Sequence, residues 1–288
     1  MPDTARLVCI MGSGETAPTM VSVHQDLMKQ VGSPPGRALL LDTPYGFEEN
    51  AAGITARAQK YFERNVGHPV DVVPVPDFDG ADELTLARLA NAIKDSRYLF
   101  AGPGSPSYAL RQWRDSVVPA LLAERLQAGG CVTFASAAAT TLGRFALPVY
   151  EIYKVGEAPH WLDGLGILDG FELPVAVLPH FDNTQGGTHD TRFCFMGERR
   201  LLELESQLAP GVAILGVAEH TAAILDRDSD RLTVRGRGFV AIRHAGVETR
   251  FQAGEAVPLA RLRPARTETP TVPPPVVAVT AGAPAGPA

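Results

Sequence analysis

The sequence predicts a three-layer α/β domain built on a mostly parallel, doubly wound sheet and finished by an antiparallel meander. Three observations lead there. Short runs rich in Val, Ile, Leu and Phe alternate with longer segments of helical spacing as far as residue 218. The runs are continuously apolar, as strands covered on both faces are. Beyond residue 220 the pattern becomes short strands joined by polar turns.

Taken in order, the strands are RLVCIMG (6–12), RALLLDT (37–43), VDVVPVP (70–76), RYLFAG (97–102), CVTFA (131–135), LPVAVLPH (173–180) and VAILGVA (212–218). Helical spacing fills 18–31, 48–65, 81–95, 106–126, 136–145 and 192–208. In 81–95, Leu84, Leu86, Leu89 and Ile93 share a face, and acids in the first turn suit the positive end of the helix dipole. The meander, AAILDR, LTVRG, FVAIRH and ETRFQAG, would add edge strands to the sheet. From Pro264 the chain carries seven prolines in 25 residues and a single acid, which predicts a disordered or polyproline-like tail. The organisation is therefore an α/β domain over 1–263 and a tail over 264–288.

Composition narrows the class. The chain has 288 residues, 45% of them hydrophobic, enough for one large domain or two small ones with a substantial core. The net charge of −6 and the absence of a basic stripe argue against nucleic-acid or anionic-membrane partners. Apolar runs such as LPVAVLP are far too short to span a bilayer, and MPDTARLVCIMG reads as a strand rather than a signal peptide. Cys9, Cys131 and Cys194 are scattered and odd in number, which fits buried small hydrophobes in a reducing, cytoplasmic setting.

Sites in such sheets form at the carboxyl ends of strands. Those ends are MGSGE (11–15), DTPYG (42–46), AGPGSPS (101–107), ASAAA (135–139), PHFDN (179–183) and AEHTAA (218–223). Among them Ser136 can attack, His180 can take its proton and Glu219 can orient the imidazole. Each also has a plain alternative. Ser136 ahead of AAATT fits a helix N-cap, His180 a hydrogen-bonded structural residue, and Glu219 a solvated acid. Glu157 and Asp163 compete for the acidic role, in a segment that reads as a lid, a substrate wall or the contact surface of a homodimer. His180, Asp182 and His189 share a loop, but nothing in the sequence fixes them as a metal site. MGSGETAP lacks the third glycine of a dinucleotide loop, although Asp42 ends the next strand and keeps a nucleotide open. Glu15 is alternatively a residue of the catalytic cleft. Cys131 lies five residues before Ser136, inside a strand, which argues against thiolate chemistry.

Five stretches in order, LFAGPGSPSYAL, FASAAATTLG, LPHFDNTQGGTH, APGVAILGVAEHTAAIL and FQAGEAVPL, resemble the aspartyl dipeptidase (peptidase E) and cyanophycinase group of serine peptidases over about residues 5–262. The resemblance implies a flavodoxin-type, class I glutamine amidotransferase-like fold. It implies Ser136 as nucleophile, His180 as base and Glu219 as acid, with the Gly104 and Ala137 amides as oxyanion donors. Arg192, Arg199 and Arg200 stand as candidates for substrate binding. The implied reaction is hydrolysis of small peptides without a metal or organic cofactor. Phe134 and Ala138 occupy elbow positions where the family has glycines, and Pro103 has no N–H to donate. Those departures leave two alternatives: an inactive binding or regulatory module, or an acyl transferase for another amide or ester.

Overall fold

The computed structural model describes residues 5–34 and 37–263, so the Pro-rich tail expected over 264–288 lies outside the described residues. In chain order the elements are β1 (Arg6–Met11), α1 (Val21–Gln30), β2 (Ala38–Leu41), α2 (Ala51–Tyr61), β3 (Asp71–Val72), α3 (Glu83–Asp95), β4 (Tyr98–Ala101), α4 (Pro106–Trp113), α5 (Val118–Gln127), β5 (Gly130–Ala135) and α6 (Ser136–Thr140). They continue with β6 (Phe145–Ala146), β7 (Leu162–Asp163), β8 (Val175–Leu178), α7 (Gly197–Ser206), β9 (Ala213–Val217), β10 (Thr221–Asp226), β11 (Arg231–Gly236), β12 (Phe239–His244), β13 (Val247–Gln252) and β14 (Ala256–Pro258).

Local chemistry explains most boundaries. Asp82 caps α3 by accepting from the Thr85 amide at 2.7 Å. Ser105 caps α4, with Pro106 in the first turn where its missing N–H costs nothing. The helical spacing over 106–126 splits into α4 and α5, because Pro119 cannot sit inside a continuous helix and instead opens the second. Similarly, Pro74 and Pro76 limit the strand expected over 70–76 to the two residues of β3.

The main sheet has eight strands in the order β14-β11-β10-β1-β5-β4-β2-β3. From β1 through β5, β4 and β2 to β3 every pairing is parallel, while β10, β11 and β14 extend the other edge antiparallel. Side chains alternate strictly. On β1, Leu7, Cys9 and Met11 join one core with α1 and α2, and Val8 and Ile10 join the other with α3, α4 and α5.

A second sheet departs from the simplest expectation. Strands 173–180 and 212–218 do not enter the main sheet; β8 and β9 run parallel at the centre of a six-stranded sheet, β13-β12-β9-β8-β6-β7. The reason is occupancy. β1 is already flanked by β5 and β10, so no edge beside it remains for β8. The meander is likewise shared, with β10 and β11 extending the first sheet and β12 and β13 the second. Val175, Val177, Leu215 and Val217 face the core shared with the main sheet, and Ala176, Leu178 and Ile214 face α7. Among the described residues no helix is long and apolar enough to cross a membrane.

α7 is tied to β12 and β13 by Arg243, whose side chain is 7% exposed. It meets Glu205 at 2.9 Å, with Glu198 and Glu248 each at 3.6 Å. Removing the cation leaves Glu205 buried and uncompensated. Arg243→Met is expected to cost about 3–5 kcal/mol in urea unfolding, with much of it recovered when Glu205→Leu is added.

Candidate active site

Ser136 stands at the turn from β5 into α6 with φ +50°, in the left-handed region. Such strain costs about 1–3 kcal/mol in a non-glycine residue and persists only where packing over-determines it. Here Phe134, Ala135, Ala138 and Ala139 are all fully buried around it. Ala135 is the extended residue before the helix, and no side chain caps α6, so the N-cap alternative is not what Ser136 does. The departures at the elbow are absorbed. Phe134 points into the core against Trp113, ring centroids 5.7 Å apart, rather than narrowing the site. Ala138 is buried, and its amide donates to Gly102 O at 3.2 Å, fixing α6 to the turn after β4.

Ser136 Oγ lies 2.8 Å from His180 Nε2, and His180 Nδ1 lies 3.2 Å from Glu219 Oε1. A carboxylate can only accept, so Nδ1 carries the proton and Nε2 is left to accept from the serine hydroxyl. Asn183 Nδ2 donates to the same Glu219 oxygen at 2.7 Å, and Asp182 Oδ1 accepts from the Glu219 amide at 2.7 Å. The His180 ring is the main cause holding the Glu219 carboxyl below the usual carboxylate range; Asn183 assists, and partial burial opposes both. Glu157 and Asp163 are elsewhere: Glu157 faces His160, and Asp163 lies in β7.

Two glycines hold the surroundings in place. Gly12 N donates to Thr221 O at 3.0 Å, and its carbonyl accepts from the His180 amide at 3.2 Å. A Cβ there would stand 2.0 Å from Ala218 O. The glycine-rich MGSG turn therefore serves close backbone approach. Gly104, at φ +135°, approaches Pro44 so closely that a Cβ would lie 1.9 Å from its carbonyl oxygen. The Gly104 and Ala137 amides have no hydrogen-bond acceptor among the described residues, and both residues line the cavity that contains Ser136 and His180.

That cavity measures about 500 Å³. Tyr150, Tyr153, Gln185, Thr191, Cys194 and Phe195 complete much of its wall. Phe195 packs on the His180 ring with centroids 5.7 Å apart, delivered by three successive left-handed residues, Phe193, Cys194 and Phe195. This turn replaces the first part of the helix expected over 192–208. The arginines do not reach the wall. Asp190 takes Arg192 bidentately at 2.9 and 2.8 Å, Arg199 pairs with Glu203 at 3.5 Å on the surface, and Arg200 follows on α7. Lys154 is the cation that lines the cavity instead. Glu15 is also displaced from expectation, since it lines a separate small cavity behind Gly102 and Pro103. Burial raises its carboxyl above the usual range.

All three cysteines are free and buried, and burial pushes the Cys131 and Cys194 thiols up to about 12. Cys194 touches the cavity but is held as the neutral thiol. Among the described residues no group of three or more His, Cys, Asp or Glu side chains is placed to hold a metal ion, and His189 pairs with the Tyr153 hydroxyl at 3.1 Å. The sequence places Lys154 in the segment that reads as a lid, a substrate wall or a homodimer contact, but does not single out Asn183 or Phe195. Of these two, Asn183 alone left a signal, three residues past His180 in a polar stretch.

In structure, the chain is similar to a peptidase from an acI-B1 Actinobacterium, at a TM-score of 0.71 and 22% identity over 89% of this chain and 98% of that one. It is also similar to a protein provisionally assigned as peptidase E from Listeria monocytogenes EGD-e, at a TM-score of 0.57 and 14% identity over 81% and 99% of the two chains. The chain has a peptidase E-like fold. No protein-family model and no curated protein sequence matches it. Within the peptidase E-like fold, β4, β5 and β8 lead to residues of this cavity, and β9 leads to Glu219 behind His180.

Two outcomes test the geometry. Gly12→Ala must push β1 away from Ala218 and His180; overpacking of this kind costs about 1–3 kcal/mol, read as a lower Tm. The Glu219 contribution to stability follows from its lowered carboxyl: it is complete at neutral pH, above the ordinary carboxylate range, and fades as pH falls through the depressed folded-state value. The stability difference between the natural protein and Glu219→Gln should therefore be largest near neutrality and shrink on acidification, as measured by urea unfolding across pH.

Proposed function

We propose that the protein is a serine peptidase acting on small peptides, with Ser136, His180 and Glu219 as its catalytic residues. What supports this reading is the unbroken hydrogen-bond chain from Ser136 through His180 to Glu219, opening onto a cavity with two amides free to donate. The peptidase names of the two structural neighbours agree with it.

In this mechanism the Ser136 oxygen attacks the scissile carbonyl carbon as its proton passes to His180 Nε2. The carbonyl π electrons move to oxygen, and the resulting oxyanion takes hydrogen bonds from the Gly104 and Ala137 amides. One such donor is typically worth about 3 kcal/mol of barrier. Glu219 faces the imidazolium and offsets its charge. The imidazolium then gives its proton to the departing amine as the C–N bond breaks, leaving an acyl ester on Ser136. Water attacks that ester by the same route in reverse, with His180 again accepting and returning the proton.

Amine release from a panel of small peptides tests the reading. Ser136→Ala should lower turnover by roughly four orders of magnitude or more, and Glu219→Gln by about 10³–10⁴ while the fold is retained. Ser136-dependent acylation without peptide hydrolysis would favour acyl transfer. Equal residual rates in all three proteins, with Ser136 inert to a fluorophosphonate, would overturn the reading.

A further inference from the structure

Tyr150 forms part of the wall of the catalytic cavity. That tyrosine also lines a second chamber of about 470 Å³ beside the start of α4, with Phe47, Tyr108, Glu48 and Glu151. Phe47 and Tyr150 are 47% and 44% exposed, high values for large aromatic side chains. The Phe47 and Tyr108 rings pack 5.1 Å apart. Such aromatic faces suit a positively charged group.

Charge is divided unevenly between the chambers. The Ser136 chamber has Lys154 on its wall and no carboxylate. The second has Glu48 and Glu151, together with Arg111, whose guanidinium lies over the Tyr108 ring at 5.3 Å. None of Lys154, Glu48 and Glu151 is ion-paired among the described residues; Lys154 Nζ rests 4.7 Å from the Tyr153 ring centroid. One Glu151 oxygen accepts from Ser107 Oγ, and the other is covered and without a hydrogen-bond partner among the described residues. An unmatched buried acceptor is unfavourable, and a cation bound beside it would supply the missing partner. A single π-helical turn, Glu151–Val155, supplies both Glu151 to one chamber and Lys154 to the other.

We propose that the two chambers form one substrate cleft of fixed polarity, in which a short peptide lies across Tyr150 with a cationic group in the Glu48–Glu151 chamber and its terminal carboxylate near Lys154. The proposal rests on the reading of Ser136 as nucleophile and gives that reading a direction. The amino side of the scissile bond extends past Tyr150, and the leaving residue lies towards Lys154. The group in the Glu48–Glu151 chamber has to reach past Tyr150 from the scissile carbonyl, and an extended chain advances about 3.3 Å per residue. That group is therefore the N-terminal ammonium of a tripeptide or longer chain, or the side chain of a Lys or Arg beside the scissile bond.

Calorimetric binding to the Ser136→Ala protein tests this without turnover. Ala-Ala-Ala is expected to bind about fivefold more tightly than its N-acetylated or C-amidated forms, the upper end for accessible ion pairs. Glu151→Gln should abolish the penalty for acetylation alone, and Lys154→Met the penalty for amidation alone. A loss on acetylation assigns the second chamber to the terminal ammonium; tighter binding of Lys-Ala than of norleucine-Ala assigns it to a side chain. The proposal is overturned if free and blocked tripeptides bind equally and Lys-Ala gains nothing over norleucine-Ala. Preferences that survive both substitutions, or no binding by any of these peptides, overturn it as well. Fluorophosphonate labelling of the natural protein reports separately on Ser136, so a failure of the catalytic reading is distinguishable from a failure of the cleft assignment.

Discussion

Gly12 is where the two sheets of this protein meet, and the candidate site depends on that contact. The consecutive amides of His180 and Phe181 are pulled to different sheets: His180 to the Gly12 carbonyl at the end of β1, Phe181 to the Val217 carbonyl at the end of β9. A residue with a side chain at position 12 would drive into Ala218. Because no Cβ intervenes, the carboxyl ends of β5 in one sheet and of β8 and β9 in the other converge on one point. Ser136 comes from the first sheet, His180 and Glu219 from the second. Their hydrogen bonds are a consequence of how closely the two sheets approach.

The site is strained around its working atoms. Ser136 and His180 both have positive φ, as do the three residues that bring Phe195 onto the imidazole. At about 1–3 kcal/mol each, such conformations need a rigid surround to impose them. That surround is the core between the sheets, where Phe134 stacks near Trp113 and Val177 and Val217 face inward. Polar support follows the same logic. Asp182 fixes the Glu219 backbone and Asn183 its carboxylate, so the acid that orients His180 is itself oriented.

Sequence reasoning succeeded where the signal was local. Continuous apolar runs located the strands and the acids at the start of α3 marked a helix entry, while strand ends supplied Ser136, His180 and Glu219 as candidates. It went astray where specific contacts in the folded chain decided. The helical spacing of 192–208 concealed a left-handed turn, because that conformation is imposed by contacts with residues 180, 181 and 191. Arg192 stood as a candidate for substrate, but Asp190, two residues away, takes the Nε–Nη2 edge of its guanidinium.

The sequence by itself determined the α/β class, the order of the elements and the residue types gathered at the strand ends, since these follow from hydrophobic period, turn chemistry and side-chain reactivity. Only the tertiary structure decided that the strands divide into two sheets, because β10 occupies the edge of β1 that β8 would otherwise take. It also decided which acid meets His180 and which cation lines the cavity. Those outcomes turn on distances of a few ångströms between segments far apart in the chain, and neither propensity nor spacing along a sequence encodes such distances.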